Sequence, residues 1–446
     1  MAWERKMMRT IRVRNEQKVG TLARLLAAIS SMGASIGSIE MLNETAQSVL
    51  RDITIYADDT EHMDKVIEAM RDNEGTHVLE IRDEVLALHQ KGKIAIRSRF
   101  PIDSIATLRR VYTPGVAEVC LKIADDPELA RLYTSISHMV AIVTDGSAVL
   151  ALGDIGPLAS MPVMEAKSML LETLVGLSGM PILLNTRDPN EIVQAVEAIA
   201  PTFAAIQLED ISAPRCFEIE ERLQSILDIP VMHEDQHGTA VVSIAALMVA
   251  ANRSRVDIGK ANIGQIGLGV AGNAIGRMLM RLTGKPVFGA DLNEGALERF
   301  RRAGGRPSNV NEIMSECDIV MAATGQANII NPEMIRKGQV ILALSTEVDP
   351  EEALARGAAF AADGQAVNNV LGFPGILRGA IDSQAPRITD EMLFAAVEVL
   401  VRMTPGGELT PNPLDKKVHL EVARAVALTA MKQGIARTEY IPYAAV

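Results

Sequence analysis

The amino-acid sequence predicts an α/β protein of more than one domain, and three observations carry that expectation. From Tyr112 onward, short apolar runs alternate with helix-length stretches, the pattern of parallel strands joined by helical crossovers. Two acidic clusters, Glu209-Asp210 and Glu234-Asp235, lie 25 positions apart, and each directly follows a short apolar run. A glycine-rich turn, Gly267-Leu268-Gly269-Val270-Ala271-Gly272, sits between a strand-like run and a helix-like one. At 446 residues the chain exceeds one ordinary domain, so two or three are expected.

Taken in order, residues 7–14 alternate as a strand does and 19–32 have helical spacing. Residues 35–42 and 49–56 are strand-like, 61–71 form an amphipathic helix, and 77–81 a last strand. The order β-α-β-β-α-β is the ferredoxin-like plan. Gly20, at the first strand–helix junction, lets the backbone approach a small ligand or a partner subunit. Residues 1–84 resemble an ACT domain, a module that binds an amino acid or other small effector; a plain dimerisation module is the alternative. Residues 84–110 read as helix and linker. Strands at 138–144, 149–152, 181–184 and 204–208 then alternate with helices at 162–177, 191–199 and 216–227. These make residues 85–237 an α/β domain for substrate and metal. The strand 262–266 opens a Rossmann-type dinucleotide domain spanning 238–369, and the helices of 370–446 are expected to pack back on the earlier domain.

Composition narrows the function. Hydrophobic content of 48% with 22% charged residues is that of a folded, soluble chain. A net charge of −12 argues against nucleic acid or an anionic membrane as the main partner. The three cysteines, Cys120, Cys216 and Cys317, are scattered and read as reduced thiols of a cytoplasmic protein. No apolar run follows the charged amino terminus, so a signal peptide is not expected. The apolar stretch 239–251 is too short for a membrane span and reads as a buried helix.

Both acidic clusters belong to one β-α-β unit, which delivers Glu209, Asp210 and Asp235 to the same carboxyl edge of a parallel sheet. Carboxylates gathered there would repel one another and take up protons unless a hard divalent cation neutralised them. The run His233-Glu-Asp-Gln-His237 also matches H-E-x-x-H, a zinc hydrolase pattern. That chemistry needs both histidines on one face of a continuous helix, whereas a strand precedes this run and Gly238 follows it, so a turn is expected instead. The glycine-rich turn permits close approach of a pyrophosphate to a helix amino terminus. Asp291, 24 residues after Gly267, would accept hydrogen bonds from ribose hydroxyls and repel a 2′-phosphate, favouring NAD over NADP. Lys167, placed early in a helix beginning at Pro162, is a candidate base whose ammonium form a helix amino terminus and a nearby metal would disfavour. Tyr112, on a Pro-Gly turn, is a candidate acid. Asn368-Asn369 could bind a substrate carboxylate or form a turn.

Together, Tyr112-Thr-Pro-Gly-Val-Ala, Thr144-Asp-Gly, Leu152-Gly-Asp-Ile-Gly, Pro162-Val-Met-Glu-Ala-Lys167, Leu208-Glu-Asp-Ile-Ser-Ala-Pro-Arg-Cys-Phe, Asp235-Gln-His-Gly-Thr-Ala and Asn368-Asn-Val-Leu-Gly-Phe-Pro-Gly resemble malic enzyme. The likeness is to the short bacterial and archaeal type, and it runs unbroken over residues 85–435. The resemblance implies oxidative decarboxylation of L-malate with NAD and Mg²⁺ or Mn²⁺. It implies Tyr112 as acid, Lys167 as base, Glu209, Asp210 and Asp235 as metal ligands, and Asn368 or Asn369 on the dicarboxylate. It also implies a cytoplasmic homodimer or larger assembly. The chain departs from the family pattern at Ala343-Leu-Ser345-Thr346-Glu347, where Ala-Leu-Ser-Asn-Pro is usual and Thr346 takes the place of a substrate-holding amide. It departs again at Glu234, where Asp is usual, and at Ser160 and Ala166, where glycines are common. Ser147 and Ala148 fill the stretch where larger members carry an arginine. A related 2-hydroxy diacid as substrate, a malolactic conversion, and a non-catalytic ligand or nucleotide sensor are the alternative readings.

Overall fold

The chain divides after Ala95 into two units, residues 1–95 and 96–446, and the computed structural model describes residues 7–149, 152–364 and 369–442. The first unit holds strands β1 (Met7–Glu16), β2 (Ser35–Glu44), β3 (Ser48–Ala57) and β4 (Thr76–Arg82) in an antiparallel sheet of order β2-β3-β1-β4. Helices Thr21–Ser31 and Thr60–Arg71 complete the β-α-β-β-α-β order that the sequence predicts. Their apolar stripes, Leu25 and Ile29 with Met63, Val66 and Met70, meet Ile11, Val13, Ile53 and Ile55 of the sheet. One face of the sheet is thereby covered, which is why its central strands alternate buried and less buried residues. Gly20 caps the first helix in the left-handed region, at φ 86°.

The second unit contains two parallel sheets. In the first, β5 (Met139–Thr144), β6 (Ser178–Leu183), β7 (Ala205–Leu208) and β8 (Val231–His233) run in the order β6-β5-β7-β8. The second sheet holds β9 (Ile263–Ile266), β10 (Phe288–Ala290), β11 (Arg306–Pro307), β12 (Ile319–Ala322), β13 (Val340–Ala343) and β14 (Phe360–Ala362). Their order β11-β10-β9-β12-β13-β14 reverses direction between β9 and β12, which opens a crevice at the carboxyl ends of the strands. Helix Glu234–Arg253 is apolar on nearly every face and shares one core with residues of both sheets. Helices Pro374–Asp382 and Lys416–Lys432 pack on helix Pro157–Val175, and Asp390–Met403 packs on Glu234–Arg253. Among the described residues, no helix is long and apolar enough to cross a membrane.

Three local expectations change. The helix expected from Pro162 begins at Pro157, where Gly156 is the cap and proline suits the first turn; Pro162 lies inside it. The strand expected at 149–152 is reduced to a bridge between Val149 and Gly153, with residues 150–151 outside the described set. Gly238 does not end a turn but continues helix Glu234–Arg253. A Cβ on Gly372 would stand 2.2 Å from the Gly238 carbonyl oxygen, so two backbones meet there and side chains have no room.

Candidate active site

Strands β7 and β8 are parallel neighbours with Leu208 beside His233, so the residues leaving their carboxyl ends emerge side by side. Glu209 follows β7, while Glu234 and Asp235 open the helix after β8. Carboxylate oxygens of Glu209, Glu234 and Asp235 all lie within 4.8 Å of one another. Glu209 and Glu234 are buried, and Lys167 is buried between them, its Nζ 2.8 Å from Glu209 Oε1 and 2.8 Å from Glu234 Oε2. The ring of Phe373 covers the ammonium from 4.8 Å. Burial alone would drive Lys167 toward the neutral amine, but Glu209, Glu234 and Asp235 outweigh it and hold the pKa above the ordinary lysine value. Burial also raises Glu209, with Lys167 opposing and Asp235 adding to the rise. Glu234 is pushed up to about 8 by burial and by repulsion from Glu209 and Asp235, against the pull of Lys167. Three carboxylates, two buried and one half-buried, facing one ammonium leave an excess of negative charge, and hard oxygen donors in that state suit a divalent cation.

The expectation of a depressed Lys167 pKa from a helix amino terminus is therefore corrected. With the helix starting at Pro157, Lys167 lies about three turns in, beyond the reach of the helix dipole. The cluster also differs from the expected metal set in its third member. Glu209 and Asp235 come together as expected, but Glu234 rather than Asp210 completes the group of oxygens. Asp210 adopts a left-handed backbone at φ 54°, and its N–H donates to Asp235 Oδ2 at 3.0 Å. Its carbonyl accepts the Ser147 and Ala148 amides at 3.2 and 2.9 Å, locking the loop after β7 to the loop after β5.

The histidines of the H-E-x-x-H run serve another carboxylate. Glu220, buried in helix Arg215–Ile226, accepts the His233 amide at 2.8 Å, Gln236 Nε2 at 2.8 Å and His237 Nε2 at 2.9 Å. Burial opposes the charge on Glu220, yet His237 and His233 hold its pKa below the usual carboxylate value. Burial likewise opposes the His237 cation, and Glu220 outweighs it. Glu220 thus anchors the start of the helix that carries Glu234 and Asp235. Composition gave one sign of it: a glutamate on the apolar stripe of Cys216, Ile219 and Leu223.

Tyr112 is 66% exposed at the end of helix Ile105–Val111, and no hydrogen bond joins its hydroxyl to Lys167. Asn369 is half-buried in the turn Asn369–Gly372, which leads to Phe373 over Lys167; Asn368 lies outside the described residues. Thr346 is exposed on the loop after β13. The dinucleotide fingerprint forms as expected. Gly267 has φ 83°, and a Cβ there would meet the Ala323 carbonyl oxygen at 2.4 Å; one on Gly272 would meet the Gly267 carbonyl oxygen at 1.9 Å. Gly269 caps helix Val270–Thr283, whose first residues are Val270 and Ala271. Asp291 Oδ2 accepts the Leu268 amide at 2.7 Å and Oδ1 the Asn293 amide at 2.7 Å, which fixes its carboxylate at the rim of a cavity of about 670 Å³. Gly267, Gly269, Asn309, Thr324 and Gln326 also line that cavity.

Residues 96–224 match the family Malic enzyme, N-terminal domain, and residues 335–435 match Malic enzyme, NAD binding domain. The chain is 50% identical over 434 residues to NAD-dependent malic enzyme 1 of Bacillus subtilis, spanning 96% of this chain and 99% of that protein. It is 37% identical to the NAD-dependent malic enzyme of Geobacillus stearothermophilus, over 97% of this chain and 96% of that one. Among solved structures, the malic enzyme from Pyrococcus horikoshii is similar at a TM-score of 0.76 and 36% identity, over 81% of this chain and 93% of that chain.

Proposed function

This chain belongs to the malic enzyme family, and we propose that it converts L-malate and NAD to pyruvate, CO₂ and NADH at the carboxylate cluster after β7 and β8. The observation that carries this reading is the cluster of buried Glu209, Glu234 and Lys167 with half-buried Asp235, in the same unit as the dinucleotide cavity. We assign a divalent cation to Glu209, Asp210 and Asp235, and Glu234 to Lys167. Asp210 follows Glu209 on the loop after β7, and its amide already donates to the Asp235 carboxylate at 3.0 Å. When bound, Mg²⁺ or Mn²⁺ supplies charge stabilisation at the substrate oxygens and NAD supplies the hydride acceptor.

The chain's own part is binding and proton handling. Lys167 takes the proton of the malate hydroxyl, with Glu234 beside it to receive positive charge. Its raised pKa belongs to a site of three carboxylates; a dication among them reverses the neighbouring charge and favours the neutral amine. Tyr112 returns a proton to the carbon that lost CO₂. Asn368, Asn369 and Thr346 hold the dicarboxylate, and Asp291 accepts from the adenosine ribose, so NAD is preferred to NADP.

A homodimer follows from the same reading. Helices Ile105–Val111, Gly115–Asp125 and Leu129–Tyr133 bury no residue, and Ile105, Leu121 and Leu132 lie exposed on them with Tyr112. An apolar face of this extent suits a second copy of the chain, whose docking would bring Tyr112 to the adjoining site. In the first unit, which we read as ACT-like, a cavity of about 360 Å³ beside Gly20, Lys18 and Arg51 is the place for a small effector.

Product analysis with malate, NAD and Mn²⁺ tests the reaction. Pyruvate and NADH in equal amounts support it; lactate without net NADH would support the malolactic alternative, and no turnover would support a sensor.

A further inference from the structure

Glu347 is fully buried on the loop after β13, and its carboxylate is consumed by hydrogen bonds from two separate loops. Oε1 accepts the Thr324 amide at 2.8 Å, the Gly325 amide at 3.0 Å and the Thr324 hydroxyl at 3.3 Å. Oε2 accepts the Ser345 amide at 2.7 Å. The two loops are joined a second time through their backbones. The Asn328 amide donates to the Thr346 carbonyl at 2.9 Å and the Ile330 amide to that of Glu347 at 3.1 Å. Thr324 in turn packs on the fingerprint, since a Cβ on Gly267 would lie 2.9 Å from Thr324 Cγ2. Thr324 and Gln326 line the dinucleotide cavity.

We propose that Glu347 is a positioning residue for the cofactor: one carboxylate, with one oxygen on each loop, fixes the wall of the cavity that Thr324 forms against Gly267. The inference rests on the oxidoreductase reading above and deepens it at the nucleotide half of the site. Two oxygens are needed because the donors come from two loops, and each amide left buried without an acceptor would reopen its loop. Backbone amides at a strand end commonly bind an anion of a ligand; here the chain supplies its own anion in Glu347.

Glu347→Gln tests this, since it keeps the size of the side chain but replaces one acceptor oxygen with an NH₂ group. NADH binding is read from the coenzyme's own fluorescence without malate, beside thermal unfolding and steady-state kinetics of the whole enzyme. The expected result is a dissociation constant for NADH raised about tenfold to a hundredfold, with kcat/KM for NAD lowered in proportion. Glu347→Asp, which keeps two acceptor oxygens, recovers part of that loss. A lower Tm with NADH affinity and KM for NAD within twofold of wild type would make Glu347 merely structural and overturn the proposal. An aspartate variant no better than the glutamine variant would overturn it too. A wild-type protein that binds NADH yet leaves malate unchanged would sink the proposed reaction while the binding comparison still decides the role of Glu347.

Discussion

Replacing Lys167 by alanine exposes the balance of charge on which the site depends. The ammonium is shared at 2.8 Å by Glu209 and Glu234, both buried. Removing one partner of a buried pair costs about 3–5 kcal/mol, because the remaining charge has neither water nor a counterion. Here two carboxylates are left facing Asp235, so the metal-free variant should unfold roughly 5–15 °C below wild type. Saturating Mn²⁺ should return much of that loss, since binding at a hundredfold excess over Kd contributes about 2.7 kcal/mol and the competing ammonium is gone. Turnover should fall by about 10²–10⁴ even with metal present, while NADH binding stays near wild type. Differential scanning fluorimetry with EDTA or Mn²⁺, beside NADH production from malate, reads both effects. A variant that turns over malate within tenfold of wild type would remove Lys167 from the proton transfer.

Asp291→Asn removes the charge and one of the two acceptor oxygens, so either the Leu268 or the Asn293 amide loses its partner; KM for NAD should rise several-fold and the preference over NADP should shrink in paired kinetics. A wild-type preference for NADP would overturn the cofactor assignment. Gly272→Ala places a Cβ 1.9 Å from the Gly267 carbonyl oxygen, so NADH binding should be lost while Mn²⁺ binding survives; unchanged NADH affinity would contradict the fingerprint geometry. The Glu220–His237 pair sets a pH window. His237 is held above its ordinary value, so its contribution is complete below about pH 6.5 and fades as pH rises through the folded value. Glu220 is held below the carboxylate range, so its contribution is present above about pH 4.3 and fades as pH falls further. Urea unfolding across pH 5–9 should therefore show less loss of stability on the alkaline side in His237→Gln than in wild type, and equal slopes would deny the pair.

Much of the site was legible because it depends on strand order. The acidic clusters follow β7 and β8, whose neighbouring register brings Glu209 and Asp235 together, and period and spacing reveal that much. The fingerprint was legible for the same reason, since a strand, three glycines and a second strand ending at Asp291 leave little freedom. Helix boundaries were less so. Two prolines, Pro157 and Pro162, both suit a first turn, and only the packing of Ser160 and Met164 in the core shows that the earlier one starts the helix. The sign of the Lys167 shift was hidden because it depends on how many carboxylates reach one ammonium, which spacing does not give. Glu347 was noticed as a departure from the family pattern, but its donors come from Thr324, Gly325 and Ser345, and a loop sequence does not reveal which amides will converge. Tyr112 follows helix Ile105–Val111, whose apolar residues are exposed, and nothing in its spacing from Lys167 says whether the two side chains meet.

Counting bound Mn²⁺ by isothermal titration, in wild type and in Asp235→Asn, tests the central claim most directly. One ion per chain in wild type, with affinity reduced at least a hundredfold in the variant and NADH affinity unchanged, is the predicted result. Equal Mn²⁺ affinity in both proteins would mean that the carboxylates after β7 and β8 do not hold the metal, and the reaction assigned to them would have no centre.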